Sequence, residues 1–516
     1  MHFNLFQGIL SSMNKHDLLE HAEAAGFSKE QRALLEMAID LASEKHQDQK
    51  RKSGEPYIIH PLSVADILLD WGMDIDSIIA GVLHDTVEDT DQTLKDLEEK
   101  FGHDAAFLVD GVTKVSKARA GMSDLASYLP ATKDNLSKLL IAVGQDVRVI
   151  IIKLADRLHN LRTLEFMPPE KQVKIARESL EVFAPMADRL GMGRVRTQIE
   201  ELSFRYLDPK EYKKLERMMK QRLGKSHRKL EHVRHEVQQA LEKEAIKATI
   251  DGRVKSTYSV YKKLKKTDDS IDDIYDLIAL RLIVTNKADC YQVLGLLHSL
   301  YQPMVARIKD YIAAPKPNGY QSLHTTVITP QKQIVEFQIR TRSMHEYAEQ
   351  GLAASFHYNE SKLQKGYKKG KAATLPEQLK WIVELQETSR KLLGNEAVEL
   401  DKLKIDLFAH RIFVYSPKGD IYNLPEGAFP LDYAYLVHSD IGQHASGFKV
   451  NGKMIPFDKP LENGDVVEVL TKRLSVPRVE WLDMVKTVHA RNKMRAQLKK
   501  FAPLSSLRAV AKKVKG

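Results

Sequence analysis

Apolar residues recur at helical spacing through residues 30–205, and short breaks such as Pro168-Pro169 and the Gly-Met-Gly at 191–193 separate the amphipathic runs. A period near 3.6 residues is typical of helices with one buried face. The run at 78–83 is apolar throughout and predicts a helix that is buried on every side. The first 200 residues are therefore expected to form an all-α domain.

The pattern changes beyond this region. Residues 207–245 are highly charged and lack proline, which predicts a long exposed helical connector that is broken or frayed near Gly224. Short runs rich in β-branched residues then alternate with helical segments, which predicts a mixed α/β domain. These runs cover 279–284, 325–328 and 334–339.

The last third of the chain contains a third unit. A stretch rich in Lys, Gly, Gln and Glu predicts a linker with some helix, and a small β-rich unit with turn signals at 417–420 and 462–465 follows it. The expected organisation is an all-α domain, a helical connector, an α/β domain, a helical linker, a β-rich unit and a basic helical tail. The boundaries are 1–200, 201–245, 246–360, 361–402, 403–471 and 472–516.

Composition narrows the class of protein. With 516 residues, 43% of them hydrophobic, the chain can build several cores. Cys290 is the only cysteine, which excludes a disulfide framework and a zinc site made from cysteines of this chain. No apolar run approaches the roughly 18 residues that span a bilayer, and the opening residues lack the features of a signal peptide. These features predict a cytoplasmic protein with no membrane partner.

The net charge of +10 comes from the end of the chain. Residues 484–516 hold ten Lys and Arg and no Asp or Glu, whereas the remainder is balanced. Such a tail can bind RNA through its phosphates, or it can be a solvated helix. Both interpretations remain open.

The most informative polar stretch follows the buried apolar run. His84 and Asp85 are adjacent, and a second pair of carboxylates, Glu88 and Asp89, comes one helical turn later. A histidine and a carboxylate at the edge of a core are costly unless they are paired or bind a metal. The layout is typical of a metal-assisted phosphoester hydrolase. Two other copies of the dipeptide predict only a solvated helix face or a cap. These are His16-Asp17 and His103-Asp104.

Two further candidate ligands lie in other apolar runs, His60 upstream and Asp156 downstream. Together with His84 and Asp85 they offer two imidazole nitrogens and two carboxylates, a set that suits Mn, Fe, Co or Zn. Each residue taken alone is better explained as a satisfied polar group of the core. The four together favour a metal site.

A second set of polar residues lies in the predicted α/β domain. Residues 252–263 place three cations and a serine at near-helical spacing, and such a face can hold a triphosphate. Glu336 and Gln338 are two apart on a predicted strand, so they point to the same face. Asp276 and Glu336 could hold a Mg²⁺ that bridges phosphates.

The loop at 307–324 is shaped by Pro and Gly and is rich in hydrogen-bond donors. Within it, Tyr320 offers a stacking face and Asn318 can bind a base edge. Taken individually these are ordinary surface residues. The chain has no Walker A loop and no Gly-x-Gly-x-x-Gly that would assign them to a better-known nucleotide fold.

The strings around the candidate metal ligands resemble a known family. Residues 51–61, 84–90 and 153–160 are similar to the hydrolase domain of the RelA/SpoT homologues, bacterial enzymes that make and destroy the alarmone (p)ppGpp. The ligand pattern is that of the HD phosphohydrolase superfamily. The resemblance implies Mn²⁺ on the four ligands and a water oriented or activated by Glu88 and Asp89. It also implies that (p)ppGpp is held by Arg51, Lys52, Asn160 and Thr163.

The α/β part is similar to the (p)ppGpp synthetase domain of the same family, whose fold resembles nucleotidyltransferases. The resemblance implies Mg²⁺ on Asp276 and Glu336, with Glu336 helping to deprotonate the attacking hydroxyl. It implies ATP bound by Arg253, Lys255, Ser259 and Lys263, with adenine between Arg253 and Arg281. It implies GDP or GTP bound by Lys316, Asn318, Tyr320 and His324. The Arg-Ile-Lys-Asp at 307–310 resembles the basic form found in bifunctional members.

Residues 403–471 look like a TGS domain, a small β-grasp-like unit. In ribosome-bound relatives this module contacts the acceptor end of tRNA, and His438 stands at the matching position. The resemblance implies the ribosome and tRNA as partners of the TGS domain and the basic tail. The sequence ends soon after this unit, without the further modules of long members. A truncated chain and a short natural form both explain this, and either would put ribosome-dependent control in question.

Two functions of different classes fit these observations. One is a bifunctional enzyme that transfers pyrophosphate from ATP to the 3′-hydroxyl of GDP or GTP and also hydrolyses the product. The other is a ribosome- or tRNA-binding regulator whose catalytic domains act as nucleotide sensors. A hydrolase-dominant enzyme with weak synthesis is a third. The completeness of both residue sets favours catalysis.

Overall fold

The computed structural model describes residues 13–122, 146–267, 277–316, 318–353, 411–462 and 464–501. The chain divides into two compact units, Met1–Asn395 and Glu396–Gly516. The expected linker at 361–402 lies outside the described residues. Within the described ranges, no helix is both long and apolar enough to cross a membrane.

The first unit begins with helices only, which confirms the expected all-α domain. They are α1 Lys15–Ala24, α2 Lys29–Lys45, α3 Ile59–Asp70, α4 Ile75–Leu83, α5 Thr86–Asp89, α6 Leu94–Phe101, α7 His103–Met122, α8 Arg148–Arg162, α9 Pro169–Glu178, α10 Ala184–Arg189 and α11 Gly193–Leu207. A 3₁₀ turn at Leu164–Phe166 and a π-helical turn at Ser179–Phe183 lie between them.

Helix α4 shows how the local sequence positions the site. Asp74 caps its N-terminus by accepting a 2.8 Å hydrogen bond from the Ser77 amide, which satisfies a donor that the first turn leaves unpaired. All residues from Ile75 to Leu83 are buried except Asp76. The helix ends at Leu83, so His84 and Asp85 emerge at the edge of the core, as the apolar run predicts.

The connector differs from its prediction. Helix α12, Pro209–Lys243, runs through Gly224 without a break. A single glycine costs a helix about 1 kcal/mol, and Leu223 beside it packs with Val260 and Leu277. The helix is also not exposed all round, because one stripe enters the core of the α/β domain. This stripe is Leu230, Val233, Val237 and Leu241.

The α/β domain is built on one mixed sheet. Its strands are β1 Ala248–Val254, β2 Ile278–Val284, β3 Gln302–Pro303, β4 Lys309–Asp310, β5 Leu323–Ile328 and β6 Ile334–Thr341. The order is β1-β2-β6-β5-β3, with β4 also paired to β5. Only the β2–β6 pair is parallel. Three helices accompany the sheet, α13 Thr257–Thr267, α14 Lys287–Leu300 and α15 Arg342–Gln350. The three predicted strand runs are confirmed.

The helical part and the α/β part of this unit are in direct contact. Leu352 donates a 2.8 Å hydrogen bond to the carbonyl of Leu190, and Glu201 of α11 accepts one of 3.1 Å from the Tyr258 amide at the start of α13. Gly351 has a φ of +60°, and a Cβ there would lie 2.3 Å from the Leu190 oxygen. Only glycine fits this junction without a backbone shift.

The second unit is small and β-rich, as expected. It contains a hairpin of β7 Arg411–Tyr415 and β8 Ile421–Pro425, and a sheet of order β10-β9-β11 from β9 Ala445–Val450, β10 Lys453–Ile455 and β11 Val467–Thr471. Its helices are α16 Pro430–Val437, α17 Ser439–Gln443, α18 Trp481–Met484 and α19 Val488–Phe501. Buried Asp432 accepts hydrogen bonds from the amides of Phe429, Lys486 and Thr487, which ties α16 to the start of the basic tail.

Candidate functional site

The four expected metal ligands converge in the helical domain. One donor atom each from His60, His84 and Asp156 lies within 4.8 Å of the others. The Oδ2 atom of Asp85 is 3.2 Å from His84 Nε2 and 3.7 Å from His60 Nε2. These residues come from α3, the end of α4 and α8, which pack against one another. Helix packing therefore forms the cluster.

The two imidazoles fit a cation. His84 Nδ1 lies 2.8 Å from the carbonyl oxygen of Gly81 and donates its proton there, so Nε2 is the nitrogen left to bind a cation. His84 Nε2 is buried, and its 3.2 Å contact with Asp85 Oδ2 lacks the geometry of a hydrogen bond, so none of the described residues pairs with it fully. A buried polar atom without a partner is costly. A divalent cation among these nitrogens and carboxylates would complete its coordination.

The carboxylates of the cluster are held in their ionised form. Burial opposes ionisation of Asp85, but the neighbouring imidazole of His84 outweighs it and lowers the pKa of Asp85. Burial also opposes ionisation of Asp156, yet the Lys153 ammonium holds its pKa well below the usual range. The Lys153 ammonium lies 2.5 Å from Asp156 Oδ2. Both carboxylates are therefore available as ligands at neutral pH.

The expected catalytic carboxylates lie beside the cluster. Glu88 and Asp89 are exposed on the short helix α5. Tyr57 links this region to the metal ligands, because its hydroxyl donates a 2.6 Å hydrogen bond to Asp85 Oδ2. Partial burial and the Asp85 carboxylate raise the pKa of Asp89, which suits a group that must take a proton from water.

Of the four residues expected to hold (p)ppGpp, Arg51 and Asn160 border the same cluster. The Arg51 guanidinium donates a 2.7 Å hydrogen bond to Asn160 Oδ1, and the Asn160 amide donates one of 2.5 Å to Asp156 Oδ1. Lys52 is exposed next to Arg51. The Thr163 hydroxyl donates to the carbonyl of His159 at the end of α8.

The other two His-Asp dipeptides are solvated helix residues, as predicted. The side chain of His16 is 80% exposed and pairs with Glu20. His103 is the first residue of α7. Its side chain is 73% exposed and pairs with Glu98 of α6. The identical dipeptide becomes part of a buried cluster only where an apolar helix precedes it.

In the α/β domain a chain of polar contacts crosses the sheet. Arg253 donates a 3.1 Å hydrogen bond to Gln338 Oε1, and Gln338 donates one of 2.9 Å to Glu336. His324 lies 3.4 Å from the same Glu336 oxygen and 2.9 Å from the Tyr320 hydroxyl. Strand pairing places His324 opposite Gln338, so the expected ATP side and the expected guanine-nucleotide side meet at Glu336.

The expected ATP-binding cations do not share one helical face, contrary to the near-helical spacing. Arg253 lies on β1, because pairing with β2 extends this strand to Val254. Lys255 follows in the loop. Ser256 then caps α13 by accepting a hydrogen bond from the Ser259 amide. Only Ser259 and Lys263 are helical neighbours.

The loop after β4 packs against the helical domain. The Asn318 amide donates a 3.3 Å hydrogen bond to the backbone carbonyl of Asp188, before the Gly191 turn. The Lys316 ammonium lies 4.7 Å from the ring centroid of Tyr311 and 5.0 Å from that of Tyr320, and burial lowers its pKa to about 8. Asp276, the other expected Mg²⁺ ligand, lies outside the described residues.

Comparisons with known proteins agree with this organisation. The HD domain model matches residues 38–193, the model for the region found in RelA/SpoT proteins matches 252–363, and the TGS domain model matches 412–471. These three matches fall, in order, on the metal cluster, the sheet face and the β-rich unit. This order of domains is similar to that of the RelA/SpoT family.

Similar proteins of this family cover most of the chain. The GTP pyrophosphokinase of Myxococcus xanthus is 44% identical over 90% of this chain and 60% of its own length. The guanosine-3′,5′-bis(diphosphate) 3′-pyrophosphohydrolase of Aquifex aeolicus is 43% identical over 90% of this chain and 64% of its own. The bifunctional (p)ppGpp synthase/hydrolase RelA of Mycobacterium tuberculosis is 42% identical, with 91% and 63% covered. The chain thus spans about three fifths of these relatives' length.

The structure adds a group of residues that the sequence interpretation did not single out. Glu349 on α15 lies 3.4 Å from an Arg281 nitrogen and 3.3 Å from an Arg340 nitrogen, with His345 3.9 Å away. Burial lowers the pKa of Arg340 to about 10. One carboxylate thus faces two guanidinium groups. The alternation of Glu336, Gln338 and Arg340 along β6 was the signal that could have identified Arg340.

Proposed function

We propose that this chain is a bifunctional alarmone enzyme that makes (p)ppGpp from ATP and GDP or GTP and also hydrolyses it. The observation that carries the proposal is the presence of two separate candidate sites in one unit. A buried His and Asp cluster lies in the helical domain, and Glu336 lies between Arg253 and His324 on the sheet. The relatives are named for these two activities, which supports both halves of the proposal.

For hydrolysis, His60, His84, Asp85 and Asp156 would hold Mn²⁺, which when bound supplies Lewis-acid activation of water and of the phosphoryl oxygens. Glu88 and Asp89 orient the water and take its proton. The water oxygen bonds to the phosphorus attached to O3′ of the ribose, the bond between that phosphorus and O3′ breaks, and O3′ takes up a proton. Arg51, Lys52, Asn160 and Thr163 hold the nucleotide.

For synthesis, the 3′-oxygen of GDP or GTP attacks the β-phosphorus of ATP, the bond from that phosphorus to the α–β bridging oxygen breaks, and AMP leaves. Glu336 accepts the proton of the 3′-hydroxyl. Positioning and charge neutralisation carry most of such a transfer, and Mg²⁺ on Asp276 and Glu336 would add to the neutralisation. Two sets of side chains hold the substrates. ATP is held by Arg253, Lys255, Ser259, Lys263 and Arg281, and the guanine nucleotide by Lys316, Asn318, Tyr320 and His324.

The test is a pair of reactions on the same protein. Labelled ATP plus GDP or GTP with Mg²⁺ should yield labelled (p)ppGpp and AMP, and ppGpp plus Mn²⁺ should yield GDP and pyrophosphate. Hydrolysis with only trace synthesis would support the hydrolase-dominant alternative. If neither product forms, the catalytic proposal is wrong and the sensor alternative takes its place.

We also infer that the second unit binds RNA, namely tRNA on the ribosome. The TGS match, the 63% exposed side chain of His438 and the basic tail support this. His438 accepts a hydrogen bond from the Asp440 amide, which fixes its ring at the start of α17. The apparent affinity for deacylated tRNA should fall steeply with salt, and His438→Ala should weaken it. No binding at low salt would contradict this proposal.

A further inference from the structure

His159 is a buried residue of the metal region with no role in the proposed mechanism. It lies on α8, three residues after Asp156, and is only 2% exposed. Its Nδ1 atom is 2.8 Å from His60 Nδ1 and 3.0 Å from an Arg51 guanidinium nitrogen. The rings of His159 and His60 are 4.9 Å apart between centroids.

The two contacts decide which atoms carry protons. A guanidinium group can only donate hydrogen bonds, so His159 Nδ1 must present a lone pair to Arg51. Because the same Nδ1 atom contacts His60, the single lone pair is shared in a three-centre hydrogen bond in which His60 Nδ1 is the second donor and carries a proton. The remaining nitrogen, His60 Nε2, therefore presents its lone pair. That atom lies 3.2 Å from Asp156 Oδ1, inside the candidate metal cluster.

The second imidazole ligand is oriented in the same way by a different acceptor. His84 Nδ1 donates to the Gly81 carbonyl of its own helix, the usual arrangement for a metal-binding histidine. His60 lies in the first turn of helix α3, where the local backbone provides no such acceptor to its ring among the hydrogen bonds of the described residues. The ring of His159 occupies this place instead.

We propose that His159 is a positioning residue of the metal centre, which fixes the tautomer and orientation of His60 through its Nδ1 lone pair. This inference rests on the metal centre of the proposed function. Arg51 secures the arrangement from outside, because its two terminal nitrogens contact His159 and Asn160, and Asn160 in turn contacts Asp156. One guanidinium group thereby supports a histidine ligand and a carboxylate ligand.

A matched pair of variants separates this role from simple packing. In His159→Asn the side-chain oxygen can stand where Nδ1 stands and accept from both neighbours. In His159→Leu the branched shape is similar, but no acceptor remains, and the His60 Nδ1 proton is left without a partner. We would titrate Mn²⁺ into the full chain without nucleotide and follow free Mn²⁺ by electron paramagnetic resonance.

We expect His159→Leu to weaken Mn²⁺ binding by roughly 10–100-fold, the range typical for loss of a group that supports a metal ligand. His159→Asn should bind Mn²⁺ close to the wild-type affinity. Excess Mn²⁺ should restore hydrolysis in His159→Leu, and synthesis by the α/β domain should be unchanged in both variants, which reports correct folding.

Two results would overturn the inference. In one, His159→Leu binds Mn²⁺ as tightly as the wild type. In the other, His159→Asn binds it as weakly as His159→Leu, so that the acceptor atom is irrelevant. A wild-type chain that binds no Mn²⁺ at all would instead contradict the metal centre of the proposed function, so the two failures can be distinguished.

Discussion

The metal cluster and the sheet face are organised in opposite ways. In the helical domain, the side chains of His60, His84, Asp85 and Asp156 are between 1% and 13% exposed. On the sheet, the side chains of His324 and Glu336 are each 18% exposed and lie 3.4 Å apart. The side chains of the first site are packed into the core of the helical domain, whereas those of the second are long side chains on the face of a strand.

This difference matches the size of the proposed ligands. A cation needs four donor atoms within a few ångströms, and three rigid helices can provide them. Two nucleotides need a broad surface with cations that remain available, and a strand face with alternating polar residues provides it. Arg281 and the buried Arg340 both pair with Glu349 beside this face, and a local excess of positive charge suits an anionic substrate.

The largest effect should come from the closed site. Asp85→Ala removes a carboxylate ligand, so we expect loss of Mn²⁺ binding and of detectable hydrolysis, with synthesis retained. Asp17→Ala is the matched control, because it changes the same dipeptide at an exposed position. Both activities and Mn²⁺ binding would be measured after bound metal is removed with a chelator and Mn²⁺ is added back. Hydrolysis that persists in Asp85→Ala under these conditions would remove this residue from the site.

The next effect should be confined to the open site. Glu336→Gln keeps the shape and the contacts to Gln338 and His324 but cannot accept a proton. Synthesis should fall by roughly 10²–10⁴-fold, the usual contribution of a general base, with little change in nucleotide affinity and none in hydrolysis. Glu468→Gln, on a strand of the second unit, is the control. A wild-type rate of synthesis in Glu336→Gln would exclude a catalytic role.

A third prediction concerns the junction between the two regions. Gly351→Ala places a Cβ 2.3 Å from the Leu190 oxygen at a φ of +60°, so it should destabilise the first unit by roughly 1–3 kcal/mol. Synthesis should suffer more than hydrolysis, because the same turn contacts Asn318 in the nucleotide loop. Urea unfolding and both activities would be measured.

Gly295→Ala is the control for the junction. This glycine is exposed inside helix α14, and no atom lies within 4 Å of its would-be Cβ. Alanine there should stabilise the protein by up to about 1 kcal/mol. If Gly351→Ala behaves like Gly295→Ala, the close contact at the junction does not constrain the protein.

The smallest effect is a pH dependence of the open site. Burial lowers the pKa of Lys316 to about 8, so its charge is present below this pH and is lost above it. The affinity for GDP or GTP should therefore weaken above pH 8, by at most about tenfold per pH unit. Lys316→Arg keeps its charge throughout and should remove this decline. An identical decline in Lys316→Arg would assign it to another group. The affinity for GDP or GTP would be measured by calorimetric titration at several pH values between 7 and 9.5.

Much of this molecule could be predicted from local sequence. The apolar run at 78–83 predicted helix α4 and the position of His84 at its end, and period-two alternation placed Glu336 and Gln338 on one face. The candidate ligands His60, His84 and Asp156 were also predicted to come together, and the structure brings them into one cluster. Helical and strand periods depend on neighbours a few residues apart, so they are visible in the chain itself.

Tertiary structure decided the contacts between distant residues. His159 meets Arg51, 108 positions away, and Asn318 meets Asp188, 130 positions away. No local pattern specifies such pairs, because they depend on how whole helices and sheets pack. The same reason explains the connector. Its charged sequence predicted an exposed helix broken at Gly224, but the sheet covers its apolar stripe, and this burial outweighs the small helical cost of one glycine.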